Sequence, residues 1–261
     1  MAKSKIKKYF VESAGKKVFV QVEYPSKVPA PAIIVGHGLR SYYTGFLNIF
    51  AKKLRDEGYI SVKFHFIGTG KSEGLFEEKS TATMVQNFKD VIAYLKTLPE
   101  ITDIGVMGRS NAGSLAALAG PIERVKSYVL LGSPAFYSLN MKKFLEMADT
   151  TKGEYFYHSS FKRKHTKGEG RLPLSFLEEI GTFDKRLLEG IKKLKNVCLL
   201  QSKVDEAVPV EEGHFDYWKE NLPKPNWTKI MEKGKNHSFK GCKAEVYQDA
   251  ITWFRKTLPI R

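Results

Sequence analysis

The sequence is poor in cysteine and has no long apolar run, and each shortage excludes a class of protein. Only 2 of its 261 residues are cysteine and they form no C-x-x-C pair, so neither a disulfide framework nor a cysteine zinc site is expected. The longest apolar runs have the length of strands, far below the roughly 20 residues that a membrane-spanning helix needs. The basic N-terminus is not followed by the apolar stretch of a secretory signal. We therefore expect a cytoplasmic protein with no transmembrane segment.

Acidic residues are also scarce relative to basic ones. The chain has 43 Lys plus Arg against 28 Asp plus Glu, which gives a formal net charge of +15. A nucleic-acid-binding protein typically concentrates such charge in one stripe, whereas the basic residues here are scattered along the whole chain. A solvated, lysine-rich surface is the favoured interpretation, so no nucleic-acid partner is expected.

The apolar residues are numerous and fall into an alternating pattern. Hydrophobic residues make up 42% of the chain, enough for a large core in one or two domains. After an opening hairpin, the predicted strands are Ala32–Val35, Ile60–Phe66, Ile104–Met107, Val125–Leu131, Val197–Gln201 and Trp227–Met231, and the predicted helices are Phe46–Glu57, Thr83–Leu98, Ser114–Ala119 and Glu245–Thr257. This alternation predicts an α/β fold with a mostly parallel central sheet and helices on both faces. Functional residues are then expected at the carboxyl ends of the strands.

Residues 136–182 break this alternation. The segment is rich in basic and aromatic residues, among them Lys142, Lys143, Lys152, Lys162, Arg163, Lys164, Lys167, Arg171, Phe144, Tyr155, Phe156, Tyr157 and Phe161. We predict that it is an insertion that caps the sheet edge where ligands bind. The α/β core is then formed by residues 1–135 and 183–261.

A short stretch between a predicted strand and a predicted helix has the pattern of a nucleophile elbow. Residues 108–113 read GRSNAG, with Ser110 at the centre. In such a tight turn the residues two before and two after the serine must be small, and Gly108 and Ala112 satisfy this requirement. The helix N-terminus that follows also presents amide groups to a developing anion. Ser110 is the predicted nucleophile.

A serine nucleophile needs a base, and the base needs an orienting carboxylate. Of the 6 histidines, His237 lies in a polar loop after the last predicted strand, which is where a base is expected; His37 and His65 lie in or beside strands, His158 and His165 in the insertion, and His214 at a helix start. Asp205 is the predicted carboxylate because it follows the preceding strand in a D-x-x-V-P run, with Glu206 as its rival. The chain order Ser110, Asp205, His237 is the order expected for this arrangement.

These residues together resemble the α/β-hydrolase superfamily, and most closely its compact esterases of the cinnamoyl and feruloyl esterase type. The matching stretches are Gly36-His37-Gly38-Leu39, the GTGKSEG run at 68–74, the turn around Ser110 and the loops of Asp205 and His237. The resemblance implies an α/β-hydrolase fold with an inserted cap. It also implies that the backbone N–H groups of Leu39 and Asn111 form the oxyanion hole, since main-chain donors tolerate any side chain.

The sequence departs from these esterases at two positions. His65 stands where they usually have an aspartate before the glycine-rich turn, so that turn is expected to be braced differently. Arg109 stands before the nucleophile where histidine is frequent, which adds positive charge beside the pocket.

From these residues we expect a serine hydrolase that cleaves carboxylic esters, with short acyl or aryl groups, through an acyl-enzyme intermediate. This chemistry needs neither a metal nor an organic cofactor, and the partner is a small-molecule ester. Thioesterase and peptidase or amidase activities stay open because they use the same groups. A non-catalytic, anion-binding protein on the same scaffold is an alternative from another class. The sequence leaves open whether the chain forms a homo-oligomer.

Overall fold

The central feature of the molecule is a twisted sheet that starts with an antiparallel hairpin. A computed structural model describes residues 5–40, 42–43, 45–146, 155–157 and 162–261. The strands of the main sheet are β1 (Ile6–Ser13), β2 (Lys16–Glu23), β3 (Ala30–Gly36), β4 (Ile60–Phe64), β5 (Ile101–Arg109), β6 (Val125–Leu131), β9 (Val197–Ser202) and β10 (Asn226–Met231). Their order is β1-β2-β4-β3-β5-β6-β9-β10. From β4 to β10 all neighbouring strands are parallel.

Helices cover both faces of this sheet. They are α1 (Gly45–Asp56), α2 (Thr81–Lys96), α3 (Asn111–Ala119), α4 (Tyr137–Glu146), α5 (Ser175–Ile191), α6 (His214–Asn221) and α7 (Lys243–Thr257). One core contains Phe88 of α2 and Leu115 of α3, and the core on the other face contains Phe50 of α1 and Phe254 of α7. Because both faces are covered, every residue of β3 is buried, which explains its uninterrupted apolar run.

The predicted α/β fold with a mostly parallel sheet is therefore confirmed, and the differences lie at element ends. β4 ends at Phe64 rather than Phe66, because the glycine-rich turn begins there, with Gly68 and Gly70 at positive φ. Helix α3 begins at Asn111 rather than Ser114. The chain passes from β5 into this helix with only Ser110 between them.

The segment 136–182 contains α4 and a small antiparallel pair, β7 (Tyr155–Tyr157) and β8 (Arg171–Pro173). The domain boundary predicted after residue 182 falls inside α5, which runs from Ser175 to Ile191. Among the residues named for this segment, Lys152, His158 and Phe161 lie outside the described part of the chain.

The segment is held at its start and in its interior by different residues of the core. At its start, the N–H groups of Ala135 and Phe136 donate to Nδ1 of His214, at 3.1 and 3.2 Å. In its interior, the carbonyl of His165 accepts from the N–H of Gly70 at 2.9 Å. The second contact sets the segment against the glycine-rich turn that follows β4.

Among the helices that the structure describes, none combines the length and apolar character needed to cross a bilayer.

Candidate active site

Ser110 occupies a strained turn between β5 and α3. Its φ is 56° and its ψ is −130°, a conformation that is unfavourable for any residue with a side chain. The turn is possible because its neighbours are small: a Cβ at residue 108 would lie 2.7 Å from the Cα of Gly113. The N–H of Ser110 donates to the carbonyl of Leu131 at 2.7 Å. The predicted elbow geometry is therefore present.

Asp205 and His237 are hydrogen-bonded to each other. Nδ1 of His237 lies 2.9 Å from both carboxylate oxygens of Asp205. The carboxylate also accepts from the N–H of Val208 at 2.8 Å and from Nε2 of Gln201 at 2.8 Å. These donors fix the orientation of Asp205, which in turn fixes Nδ1 of His237 as the protonated nitrogen and leaves Nε2 for other partners.

Gly132 joins the serine turn to the Asp205–His237 pair. It follows Leu131, whose carbonyl accepts from Ser110, and a Cβ at residue 132 would lie 3.1 Å from Oδ2 of Asp205 and 3.3 Å from Cε1 of His237. The backbone beside Ser110 is therefore in close approach to the carboxylate and the imidazole. The structure brings the three predicted residues together at the carboxyl edge of the sheet.

Glu206 and Arg109 contact the main chain of His237 and not its ring. The N–H of His237 donates to Oε2 of Glu206 at 2.8 Å. Nη2 of Arg109 donates to the carbonyl of His237 at 3.1 Å and to Oγ of Ser238 at 3.0 Å. Glu206, the alternative to Asp205 as the orienting carboxylate, therefore bonds to the main chain of His237, whereas Asp205 bonds to its ring. Sequence reasoning identified neither of these two contacts.

Leu39 and Asn111, the predicted oxyanion donors, follow neighbouring parallel strands. Gly36 at the end of β3 is paired with Gly108 of β5, and each predicted donor comes three residues after its glycine. Asn111 is the first residue of α3, where a backbone N–H has no acceptor within its own helix. Both residues therefore lie at the edge that carries Ser110.

Two other histidines have their rings engaged by the main chain. The N–H of Phe66 donates to Nε2 of His37 at 3.4 Å, so Nδ1 carries the proton and donates to the carbonyl of Gly38 at 2.9 Å. The N–H of Lys71 donates to Nδ1 of His65 at 2.9 Å. Burial lowers the pKa of His37 to about 3 and that of His65 to about 4, so both rings are neutral near pH 7.

The remaining described histidines also have structural contacts. His214 is fully buried and accepts the two N–H groups at the start of segment 136–182, and burial lowers its pKa. His165 stacks on Tyr42, with ring centroids 3.8 Å apart. Of the histidines that the structure describes, only His237 faces a carboxylate within 3 Å.

Lys79 is a buried cation that sequence reasoning missed. It is 1% exposed, its Nζ donates to Oγ1 of Thr69 at 2.6 Å, and the same Nζ lies 4.2 Å from the ring centroid of Phe76. Burial lowers its pKa to about 7. A lysine between a glutamate and a helix cap gives no sequence signal for burial, since most lysines are exposed.

Within the described ranges, no group of three or more His, Cys, Asp or Glu side chains is arranged to hold a metal ion. The expectation that the reaction needs no metal stays a prediction, and it is argued from the chemistry of the serine site.

Comparison with known proteins supports the fold. A family model described as serine aminopeptidase, S33, matches residues 27–178. Among solved structures, the chain is similar to Est1E from Butyrivibrio proteoclasticus with bound ferulic acid, at 19% identity and a TM-score of 0.78 over 95% of this chain and 98% of that one. It is also similar to the α/β hydrolase GrgF from a Penicillium species, at 14% identity and a TM-score of 0.76 over 97% and 99%.

A third solved structure, of an esterase, extends the likeness. Pf2001 from Pyrococcus furiosus is 17% identical, with a TM-score of 0.69 over 98% of this chain and 94% of that one. No curated protein sequence matches the chain. Identities this low establish the fold, so the substrate has to be argued from the site itself.

Proposed function

The chain belongs to the α/β-hydrolase family described as serine aminopeptidase, S33, and from that premise we propose that it is a serine hydrolase that cleaves carboxylic esters. The observation that carries the proposal is the contact of the Asp205–His237 pair with the backbone beside Ser110. A hydroxyl is a weak nucleophile at neutral pH and becomes competent when an oriented imidazole takes its proton. The strained turn at Ser110 supports this role, because strain of this kind concentrates at functional sites.

The proposed reaction proceeds in two halves. Oγ of Ser110 attacks the ester carbonyl while Nε2 of His237 removes its proton, and the N–H groups of Leu39 and Asn111 stabilise the oxyanion. The alcohol leaves with the proton from His237, and an acyl-serine remains. A water molecule, deprotonated by His237, then releases the acid and restores Ser110. The groups used are all supplied by the chain, so no metal or organic cofactor enters the scheme.

The family description names a peptidase, which makes an amide with a free N-terminus the second candidate substrate. Binding a substrate ammonium requires an anionic partner, but Glu206 already accepts from the main chain of His237. The charges beside the site are mixed: burial lowers the pKa of Arg109, the carboxylates of Asp205 and Glu206 raise it, and Arg40 lowers it. With Glu206 engaged by His237, a neutral ester, which needs no anionic partner, is favoured over a cationic peptide terminus.

The first test is the substitution Ser110→Ala. With p-nitrophenyl acetate or butyrate, we expect kcat to fall on the order of 10⁶-fold, as is typical when a serine nucleophile is removed. The wild-type protein should be labelled covalently by a fluorophosphonate probe and the variant should not. Ser175→Ala is the matched control, since Ser175 is exposed at the start of α5, and it should behave as the wild type.

Two outcomes would contradict the proposal. Turnover that survives in Ser110→Ala would rule out this nucleophile, and a wild-type protein that resists the probe would indicate a binding protein without an activated serine. Aminoacyl p-nitroanilides, assayed beside the esters, distinguish the two candidate substrates. Faster cleavage of the anilides would favour the aminopeptidase reading.

A further inference from the structure

We propose that Arg109 and Glu206 are positioning residues that hold the main chain of His237 in place for catalysis, an inference that rests on the proposed function. Arg109 precedes Ser110 and Glu206 follows Asp205 in the chain. Each is therefore the covalent neighbour of one member of the predicted catalytic set, and each reaches across to the third member.

The His237 loop gives the reason why such contacts are needed. The loop follows β10 and is closed by main-chain bonds, such as those from Gly234 to Met231 at 2.8 Å and from Lys235 to Lys240 at 2.9 Å. His237 itself belongs to no strand or helix. Its N–H and its carbonyl are instead bonded to side chains, those of Glu206 and Arg109.

The two contacts hold the main chain of His237 at both its N–H and its carbonyl. Glu206 accepts from the N–H at 2.8 Å, and Arg109 donates to the carbonyl at 3.1 Å. A hydrogen bond that involves a charged group is stronger than one between neutral groups. Because the partners belong to the serine turn and the aspartate turn, any displacement of His237 relative to either turn must stretch one of these bonds.

Arg109 could also be read as a cation that binds substrate, and Glu206 as a second acid for the imidazole. The contacts argue against both readings. Nη2 of Arg109 is bonded to the His237 carbonyl and to Oγ of Ser238 and its Nε is buried, while the ring nitrogen Nδ1 is already within 2.9 Å of both oxygens of Asp205. The substitutions described below would nevertheless detect either alternative role.

The test at Glu206 compares two substitutions. Glu206→Ala removes the acceptor, and we expect kcat for p-nitrophenyl butyrate to fall about 10- to 100-fold with KM within about twofold, since small misplacements of a catalytic group have effects of this size. Glu206→Gln keeps a carbonyl oxygen in the same place and should recover most of that loss. The exposed Glu211 provides the control, and Glu211→Ala should equal the wild type.

The test at Arg109 follows the same logic. Arg109→Met keeps the length of the side chain without its donors and should lower kcat about 100-fold, again with little change in KM. Arg109→Lys restores a single cationic donor and should fall between Arg109→Met and the wild type. The control is Arg255→Met, because Arg255, in the last turn of α7, pairs with Glu57.

A spectroscopic reading separates positioning from general damage. The proton on Nδ1 of His237, shared with Asp205, should give a sharp downfield NMR signal in the wild type and in Ser110→Ala. We expect that signal to broaden or move in Glu206→Ala and Arg109→Met and to return in Glu206→Gln. If Arg109→Met does not fold, the Glu206 variants test the proposal, because Glu206 is exposed and its substitution should leave the fold intact.

Three results would overturn the inference. Variants with control-like kcat and an unchanged NMR signal would show that the contacts do not position His237. A rise in KM confined to anionic esters in Arg109→Met would make Arg109 a substrate-binding residue. Equal losses in Glu206→Gln and Glu206→Ala would assign the effect to charge. Failure of the proposed function is recognised separately, because it appears as turnover in Ser110→Ala.

Discussion

The edge that carries Ser110, Asp205 and His237, here called the site edge, and the segment 136–182 are joined to the same sheet by different kinds of contact. At the site edge, residues at or after the ends of core strands bond to one another through side chains and main chain. The segment is instead held at its start by His214 and, around residues 165–170, by the glycine-rich turn and Glu77. We infer from this difference that the core determines the chemistry, whereas the amino-acid sequence of the segment can vary and so select substrates.

The contacts of the segment with the glycine-rich turn are mostly between main chains. The N–H of Phe76 donates to the carbonyl of Lys167 at 2.9 Å, and the N–H of Lys167 donates to the carbonyl of Gly68 at 3.2 Å. Such bonds depend on backbone shape and not on the identity of side chains. The segment can therefore change its sequence while it keeps its place, whereas the site edge cannot.

The largest effect that this comparison predicts is at the site edge, for Asp205→Asn. An asparagine amide favours the wrong tautomer of the imidazole, and the corresponding change in a serine protease lowers kcat about 10⁴-fold. We expect a loss of that order in steady-state turnover of p-nitrophenyl butyrate, with an unchanged fold. The same carboxylate-to-amide change at Glu206 should cost far less. A loss below about tenfold in Asp205→Asn would mean that Asp205 does not orient the base.

The site edge could be predicted from sequence because its requirements are local. Small residues must flank Ser110, and the acid and the base must each follow a strand, so the pattern appears in neighbouring positions of the chain. The contact of Arg109 with His237 spans 128 positions, and nothing in either local sequence indicates it. It forms only after β5 and β10 have taken their places in one sheet.

The segment was predictable only as an interruption of the pattern. Its docking depends on His165 reaching Gly70 and on Tyr42 stacking against the His165 ring, contacts between distant residues without a periodic signal. The boundary predicted after residue 182 stays a prediction, and it lies within α5, which runs from Ser175 to Ile191. The burial of Lys79 was also not predicted, because it depends on contacts with the glycine-rich turn, such as that with Thr69, that have no periodic signal in the sequence.

The second prediction concerns Lys79, which lies beneath the turn on which the segment docks. Burial holds the pKa of Lys79 at about 7, against its usual value of 10.5, so between these two pH values the unfolded chain binds more protons than the folded one. Stability should therefore rise with pH across that window, and at pH 7 and below the full cost of the buried charge remains. Lys79→Met removes this cost and should stabilise the fold by about 2 kcal/mol at pH 7, after the lost contacts are subtracted.

Urea unfolding at pH 7 and at pH 10 measures this effect. The advantage of Lys79→Met should shrink towards pH 10, where the wild-type lysine is neutral in the folded state. Lys89→Met, on the exposed face of α2, should show no such pH dependence. Because Lys79 lies outside the site edge, ester turnover should stay within about twofold. A destabilised variant at pH 7 would mean that the bond to Thr69 outweighs the cost of burial.

The smallest effect is expected where the segment meets the core through one side chain, Glu77. Its Oε1 accepts from the N–H groups of Glu169 at 2.6 Å and Gly170 at 3.0 Å. Glu77→Ala should loosen the basic stretch around these residues, because a charged acceptor is lost at a half-buried site where each bond contributes about 1 kcal/mol. We expect trypsin to cut the segment up to about tenfold faster in native conditions, since proteolysis follows the population of opened states.

Turnover of the smallest ester then decides whether the two regions are independent. If the core alone fixes the chemistry, Glu77→Ala should leave kcat for p-nitrophenyl acetate within about twofold and change KM for bulky aryl esters by a few-fold. Glu12→Ala, at an exposed position on β1, should alter neither trypsin cleavage nor KM. A fall in kcat for the acetate that matches the rise in cleavage would make the segment part of the catalytic geometry, because loosening it would then displace groups at the site edge itself.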